Sequence, residues 1–159
     1  MRKIVIFGNS GSGKSTLAKK LCSSEGLSHL DLDTLAWMPT TPPERKILSE
    51  SEAEIVHFIS SNTGWVIEGC YSDLLEIALL FSNELIFINL PVELCIENTR
   101  KRPWEPHKYE SKEAQDSNLA MLIDWIAQYP DRADTFSKAS HTALYERYPG
   151  KKSMITYNG

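Results

Sequence analysis

"MRKIVIFGNSGSGKSTLAKKL", residues 1–21, is the stretch that decides the fold. Within it, Gly8 to Ser15 reads G-N-S-G-S-G-K-S, the G-x-x-x-x-G-K-[ST] spacing of a P-loop. Ile4 to Phe7, just before it, is a short apolar run closed by Gly8, the composition of a buried parallel strand. After it, a helix is expected from about Lys14 to Cys22, with Leu17, Ala18 and Leu21 on its inner face. Strand, glycine-rich loop and helix are the context the motif requires.

The chemistry follows from residue types. Gly8, Gly11 and Gly13 let the backbone curl with no Cβ in the way. The backbone N–H groups of the loop, with Asn9, Ser10 and Ser12 between the glycines, then face the phosphates, and the helix adds its positive dipole end. Lys14 supplies a mobile charge for the β- and γ-phosphates, Ser15 a hydroxyl for Mg²⁺, and Thr16 is placed for the α-phosphate. The implied cofactors are ATP and Mg²⁺.

Working outward, strands and helices alternate. "LSHLDL" (27–32), Trp65–Ile67 and "LIFINL" (85–90) read as strands, and "MITY" (154–157) as a last one. Ser51 and Glu54 have capping-box spacing ahead of Ile55, Phe58 and Ile59. Leu74, Leu75, Ala78 and Leu79 mark a helix, and Pro91 suits the start of another. Helical spacing from Ala114 to Tyr129 predicts one long helix over about 111–129, stopped by Pro130, and a shorter helix is expected over 141–148. Met38 to Pro43 holds three prolines and is expected to be irregular. The pattern argues for an α/β domain with a parallel sheet covered on both faces, and for ligands at the carboxyl ends of the strands.

Polar residues fall where that rule puts them. Glu68, in "WVIEGCY", ends the third strand and could hold a water of the Mg²⁺ shell. Asp31 and Asp33, in "HLDLDTLAW", stand two apart, so both can leave the core on one side. They equally suit the start of a surface turn. Asp33, further into the loop, is the candidate to address an acceptor hydroxyl, and Asp31 is placed with the metal-side acids. Arg100, Lys101 and Arg102 close the helix after the fourth strand. Cations belong at a helix C-terminus in any case, yet phosphoryl transfer also needs positive charge. Residues 103–110 then read as a short lid that excludes water.

The bulk properties bound the function. The 159 residues, 42% hydrophobic and 24% charged, suit one globular domain. A formal net charge of −4 speaks against nucleic acid as the main partner. Cys22, Cys70 and Cys95 form no C-x-x-C pair and read as reduced thiols. The apolar run at the start is too short for a signal segment or a membrane span, so a cytoplasmic protein is expected. The four histidines show no metal-ligand spacing. Trp37 and Trp104 flank irregular loops where a ring could stack on a base, while Trp65 and Trp125 fit core positions.

In their order along the chain, the P-loop, "HLDLDTLAW", "WVIEGCY" and "INLPVELCIENTRKR" resemble the adenylate-kinase-like small P-loop kinases, and within them the topology modulation proteins. The resemblance covers almost the whole chain. It implies a five-stranded parallel sheet in the order 2-3-1-4-5, an acceptor-side region around 33–63 and a short lid around 103–113, all within one domain spanning 1–159. It implies that Lys14 and Arg102 serve catalysis and that Ser15 and Glu68 serve the metal, to which the reading of the residues adds Asp33 for catalysis and Asp31 for the metal. Glu68 stands where these kinases carry aspartate before glycine, and its extra methylene extends the carboxylate by about 1.5 Å. Asn98 stands where adenylate kinases carry an arginine, with Arg100 nearby to take its part at the adenine. A long arginine-rich lid is missing, so adenylate kinase activity is not expected. The function implied is a Mg·ATP-dependent transfer of the γ-phosphate to a small acceptor. The alternative is a regulatory ATPase or a nucleotide-dependent binding protein linked to DNA topology.

Overall fold

The computed structural model describes residues 1–158. In chain order the elements are β1 (Lys3–Gly8), α1 (Lys14–Glu25), β2 (Ser28–Asp31), a single 3-10 turn (Leu32–Thr34), α2 (Leu48–Ser61), β3 (Trp65–Gly69), α3 (Ser72–Leu79), β4 (Glu84–Ile88), α4 (Val92–Arg100), α5 (Lys112–Ser117), α6 (Leu119–Ala127), α7 (Lys138–Arg147) and β5 (Lys151–Ile155). The strands form one sheet in the order β2-β3-β1-β4-β5, parallel throughout, as expected.

The central strands explain their own position. In β1, alternation divides one continuous apolar run between two cores, which is what a strand covered on both faces requires. Val5 and Phe7 join Trp65, Ile67, Leu85 and Phe87 on one face, under α2, α3 and α7. Ile4 and Ile6 join Val66, Ile86 and Ile88 on the other, under α1, α4 and α6. With all helices on the two faces, the carboxyl ends of β1, β2 and β3 converge on one edge.

Three expectations change in detail. The predicted helix over 111–129 is two helices, α5 and α6, hinged at Asn118, whose backbone sits at φ −87, ψ −8. The Asn118 side chain leaves the helical pattern to donate to the Tyr109 hydroxyl at 2.9 Å. Ser51 does not cap α2, which begins three residues earlier; its hydroxyl is buried and donates to the Leu35 carbonyl at 3.0 Å, tying α2 to the segment after β2. The last strand runs over Lys151–Ile155 rather than 154–157. Being an edge strand with an exposed face, it lacks the apolar run that marks the buried strands.

His141, on α7, is fully buried against Phe7 and Phe87. Its Nδ1 accepts from the Tyr129 hydroxyl at 2.7 Å, and its Nε2–H donates to the Cys70 carbonyl at 2.8 Å. Both bonds suit the neutral ring, and burial pushes its pKa from 6.5 down to about 4. The unfolded chain therefore binds this proton first. Stability linked to His141 is complete above pH 6.5 and is lost as pH falls from there to about 4, a loss of about 3 kcal/mol. Urea unfolding at pH 7 and pH 4.5 is expected to show a steeper acid loss in the unsubstituted protein than in His141→Gln, which has nothing to protonate there. Equal losses in the two proteins would remove His141 from the account.

Candidate active site at the carboxyl edge of the sheet

The P-loop leaves β1 and enters α1 through two left-handed residues, Gly11 (φ 79) and Gly13 (φ 94). Gly11 is required twice over. A Cβ there would stand 2.4 Å from both the Cys95 carbonyl oxygen and the Thr99 hydroxyl of α4. Two asparagines pin the loop from outside, and a third, Asn9, ties it outward from within. Asn98 donates to the Gly11 carbonyl at 2.9 Å, Asn158 to the Ser12 carbonyl at 3.0 Å, and Asn9 reaches the Ile126 carbonyl at 3.2 Å. The first two bonds use the Gly11 and Ser12 carbonyls of the loop and the third uses a carbonyl of α6, so none of them occupies a backbone N–H of the loop. Lys14 donates to the Asn9 carbonyl at 2.7 Å, folded back across the loop. Thr16 is exposed on the first turn of α1.

Two carboxylates meet the loop from the neighbouring strands. Ser15 donates to Oε2 of Glu68 at 2.6 Å, and Glu68 is only 2% exposed. Asp31 is the register partner of Glu68 across β2 and β3. Burial, then the charges of Glu68 and Asp33, push the Asp31 carboxyl up to about 6. Asp31 Oδ1 accepts from the Asp33 backbone N–H at 2.9 Å and so caps the 3-10 turn that carries Asp33.

Asp33 has the opposite electrostatics. Burial alone would raise its carboxyl. The Lys108 charge and the hydrogen bond from the Tyr71 hydroxyl outweigh that, with Lys14 adding to them, and hold it below the usual carboxylate range. Lys108 reaches over from the segment between α4 and α5. Its Nζ lies 2.9 Å from Asp33 Oδ2, 3.8 Å from Asp31 Oδ2 and 3.6 Å from Glu105 Oε2. These acids raise the lysine above its ordinary value although its burial opposes the charge. Tyr71 is itself fixed by the Trp37 indole N–H at 2.9 Å and by the Arg45 guanidinium over its ring, 5.0 Å from the centroid. Arg45 in turn pairs with Asp73 at 3.1 Å.

The arginines of α4 stand further off. Arg102, just past the helix end, pairs with Glu105 at 3.2 Å. Arg100 is exposed on the last turn. The structure thus gathers Lys14, Ser15, Asp31, Asp33 and Glu68 at one edge, and holds Arg102 on a neighbouring acid of the segment after α4. Trp37 is committed to Tyr71, and Trp104 to the Tyr109 carbonyl at 3.0 Å.

A family model described as an AAA domain matches residues 4–118. The chain belongs to the AAA-domain family. The chain is 25% identical over 151 residues to the uncharacterized protein YqaC of Bacillus subtilis (strain 168), covering 88% of this chain and 80% of that protein. Its fold is that of P-loop kinases. An unliganded sugar kinase from Janibacter sp. HTCC2649 superposes with a TM-score of 0.54 at 14% identity, over 98% of this chain and 85% of that one. Shikimate kinase from Acinetobacter baumannii, solved with shikimate, gives a TM-score of 0.54 at 15% identity, over 100% of this chain and 86% of that one. At such identities the likeness speaks for the fold.

Lys108, Tyr71 and His29 of this AAA domain were not singled out by the sequence. Each lies in a quoted motif or in the segment between α4 and α5, but none carries a spacing signal, because its partner comes from another strand or loop. Tyr71 and Asp33, for example, are 38 residues apart. Among the described residues no helix is long and apolar enough to cross a membrane.

Proposed function

We propose that the protein is a Mg·ATP-dependent phosphotransferase that passes the γ-phosphate to a small acceptor held at Asp33. The observation that carries this reading is the Asp33 site. A carboxylate is kept ionised by Lys108 and Tyr71, within the influence of Lys14, on a loop beside the P-loop. Binding a triphosphate alone has no use for such a group. Transfer to an alcohol does, because the attacking hydroxyl must be oriented and must finally give up its proton.

Magnesium suits the donors present. The Ser15 hydroxyl and the Glu68 carboxylate, 2.6 Å apart, are hard oxygen ligands, of the kind that hold Mg²⁺ together with water and phosphate oxygens. When bound, the ion neutralises charge on the β- and γ-phosphates. The chain's own groups do the rest. The loop N–H groups and Lys14 hold the phosphates, Asp33 orients the acceptor hydroxyl and receives its proton, and the lid around 103–113 keeps water out. In this reading Arg102 leaves Glu105 to join the transferring group, and Arg100 lies toward the base. The resemblance to topology modulation proteins belongs to this reading as well, with the acceptor as the unnamed part.

The experiment is a panel of nucleosides, nucleotides, sugars and hydroxy acids, each scored for acceptor-dependent ADP release. One class is expected to raise ADP release well above the rate with water alone. A flat panel with steady hydrolysis would favour a regulatory ATPase instead.

A further inference from the structure

We propose that His29 is a positioning residue for the magnesium-side acid, fixing the Glu68 carboxylate in the place from which it serves the ion of a bound Mg·nucleotide. The proposal rests on the Mg·ATP reading above and assigns a task to a residue that reading does not use. Glutamate carries one more rotatable bond than aspartate, so its carboxylate has more freedom to lose before it can serve one site. His29 removes that freedom. It stands on β2 in register with Val66, two residues before Asp31, the register partner of Glu68. The imidazole therefore shares a strand face with Asp31 and meets Glu68 diagonally across the β2–β3 pair.

A carboxylate can only accept, so the facing Nε2 carries the hydrogen and donates to Oε2 at 3.0 Å. The Ser15 hydroxyl donates to that same oxygen. Among the described residues no hydrogen bond goes to Oε1. One oxygen is thus anchored from two sides, and the other is left for the ion or its water. An imidazole N–H can orient a carboxylate without the permanent charge that lysine or arginine would bring beside a cation site. Outer partners of this kind hold metal ligands in place, and their removal costs about 10- to 100-fold in metal affinity.

The test is the affinity of a fluorescent, non-hydrolysable ATP analogue, read by anisotropy in Mg²⁺ and in EDTA. The unsubstituted protein is expected to bind more tightly in Mg²⁺. In His29→Ala that gain shrinks by about tenfold, while affinity in EDTA stays the same. His29→Gln, whose amide N–H can still reach a carboxylate, keeps most of the gain. His29→Asn, too short to reach, behaves like His29→Ala and replaces it if the alanine protein does not fold. The proposal is overturned if His29→Ala and His29→Asn leave the magnesium gain intact or weaken both conditions alike. It is overturned equally if His29→Gln falls as far as they do, or if the unsubstituted protein binds the analogue with no magnesium gain. An unsubstituted protein that binds no analogue in either condition sinks the parent reading, and this one with it.

Discussion

Replacing Lys14 with alanine is expected to cut acceptor-dependent ADP release by about 100- to 1,000-fold, the usual cost of removing one preorganised charge partner from a transferring group. The ammonium lies folded on the Asn9 carbonyl, across the P-loop that is proposed to hold the phosphates. Its loss should leave that loop standing. The side-chain bonds of Asn98, Asn158 and Asn9 do not involve Lys14, which touches only the Asn9 backbone carbonyl, and neither does the close approach of Gly11 to α4. Thermal unfolding is therefore expected to change by no more than about 1 kcal/mol. Lys14→Arg should rescue little, because a planar fork does not replace a compact point charge in a tight loop. A Lys14→Ala protein that turns over at half the normal rate would remove the P-loop from the chemistry.

The second large effect belongs to Asp33. Asp33→Asn keeps the shape and an oxygen that can still accept from Tyr71, and removes the charge that faces Lys108. Transfer is expected to fall by at least about 100-fold, within the range for a lost proton acceptor. Nucleotide affinity measured without acceptor should stay within about twofold, since the side chain of Asp33 is engaged by Tyr71 and Lys108 and is bonded to neither Ser15 nor Glu68. The depressed carboxyl adds a second expectation. Because Asp33 is ionised well below neutrality, lowering the pH from 8 to 6 should not switch transfer off through this residue. In the proposed reaction its part is to orient the hydroxyl and take the proton as the new bond forms, rather than to strip it beforehand. Equal losses of nucleotide binding and of transfer in Asp33→Asn would place the residue in the nucleotide site and leave the acceptor side without its carboxylate.

Much of this was legible in the chain itself, for identifiable reasons. The first strand and the P-loop could be read because their signals are local: a run of four buried residues, glycines at fixed offsets and a lysine next to a serine. Ser15 and Glu68 could be expected near each other because parallel topology brings strand ends to one edge, and they lie 2.6 Å apart. Where the determinant was tertiary, the reading failed or stayed silent. Ser51 has the spacing of a cap, but it faces the Leu35 carbonyl, so it became an anchor inside α2. The stretch over 111–129 has one helical period, yet Asn118 is drawn to Tyr109 and the helix breaks there. Asn98 looked like the loss of an arginine and proves to be a clamp on the Gly11 carbonyl. Lys108 is one basic residue in a polar loop, and only the fold shows three carboxylates around it.

The central claim is that phosphate leaves ATP for a small organic acceptor. The most direct measurement incubates the protein with Mg²⁺, γ-labelled ATP and a fractionated pool of small hydroxyl compounds, then separates labelled organic product from labelled inorganic phosphate. The account predicts a labelled organic product that disappears with Asp33→Asn and with Lys14→Ala. Label found only in inorganic phosphate, at a rate indifferent to every fraction, would contradict it.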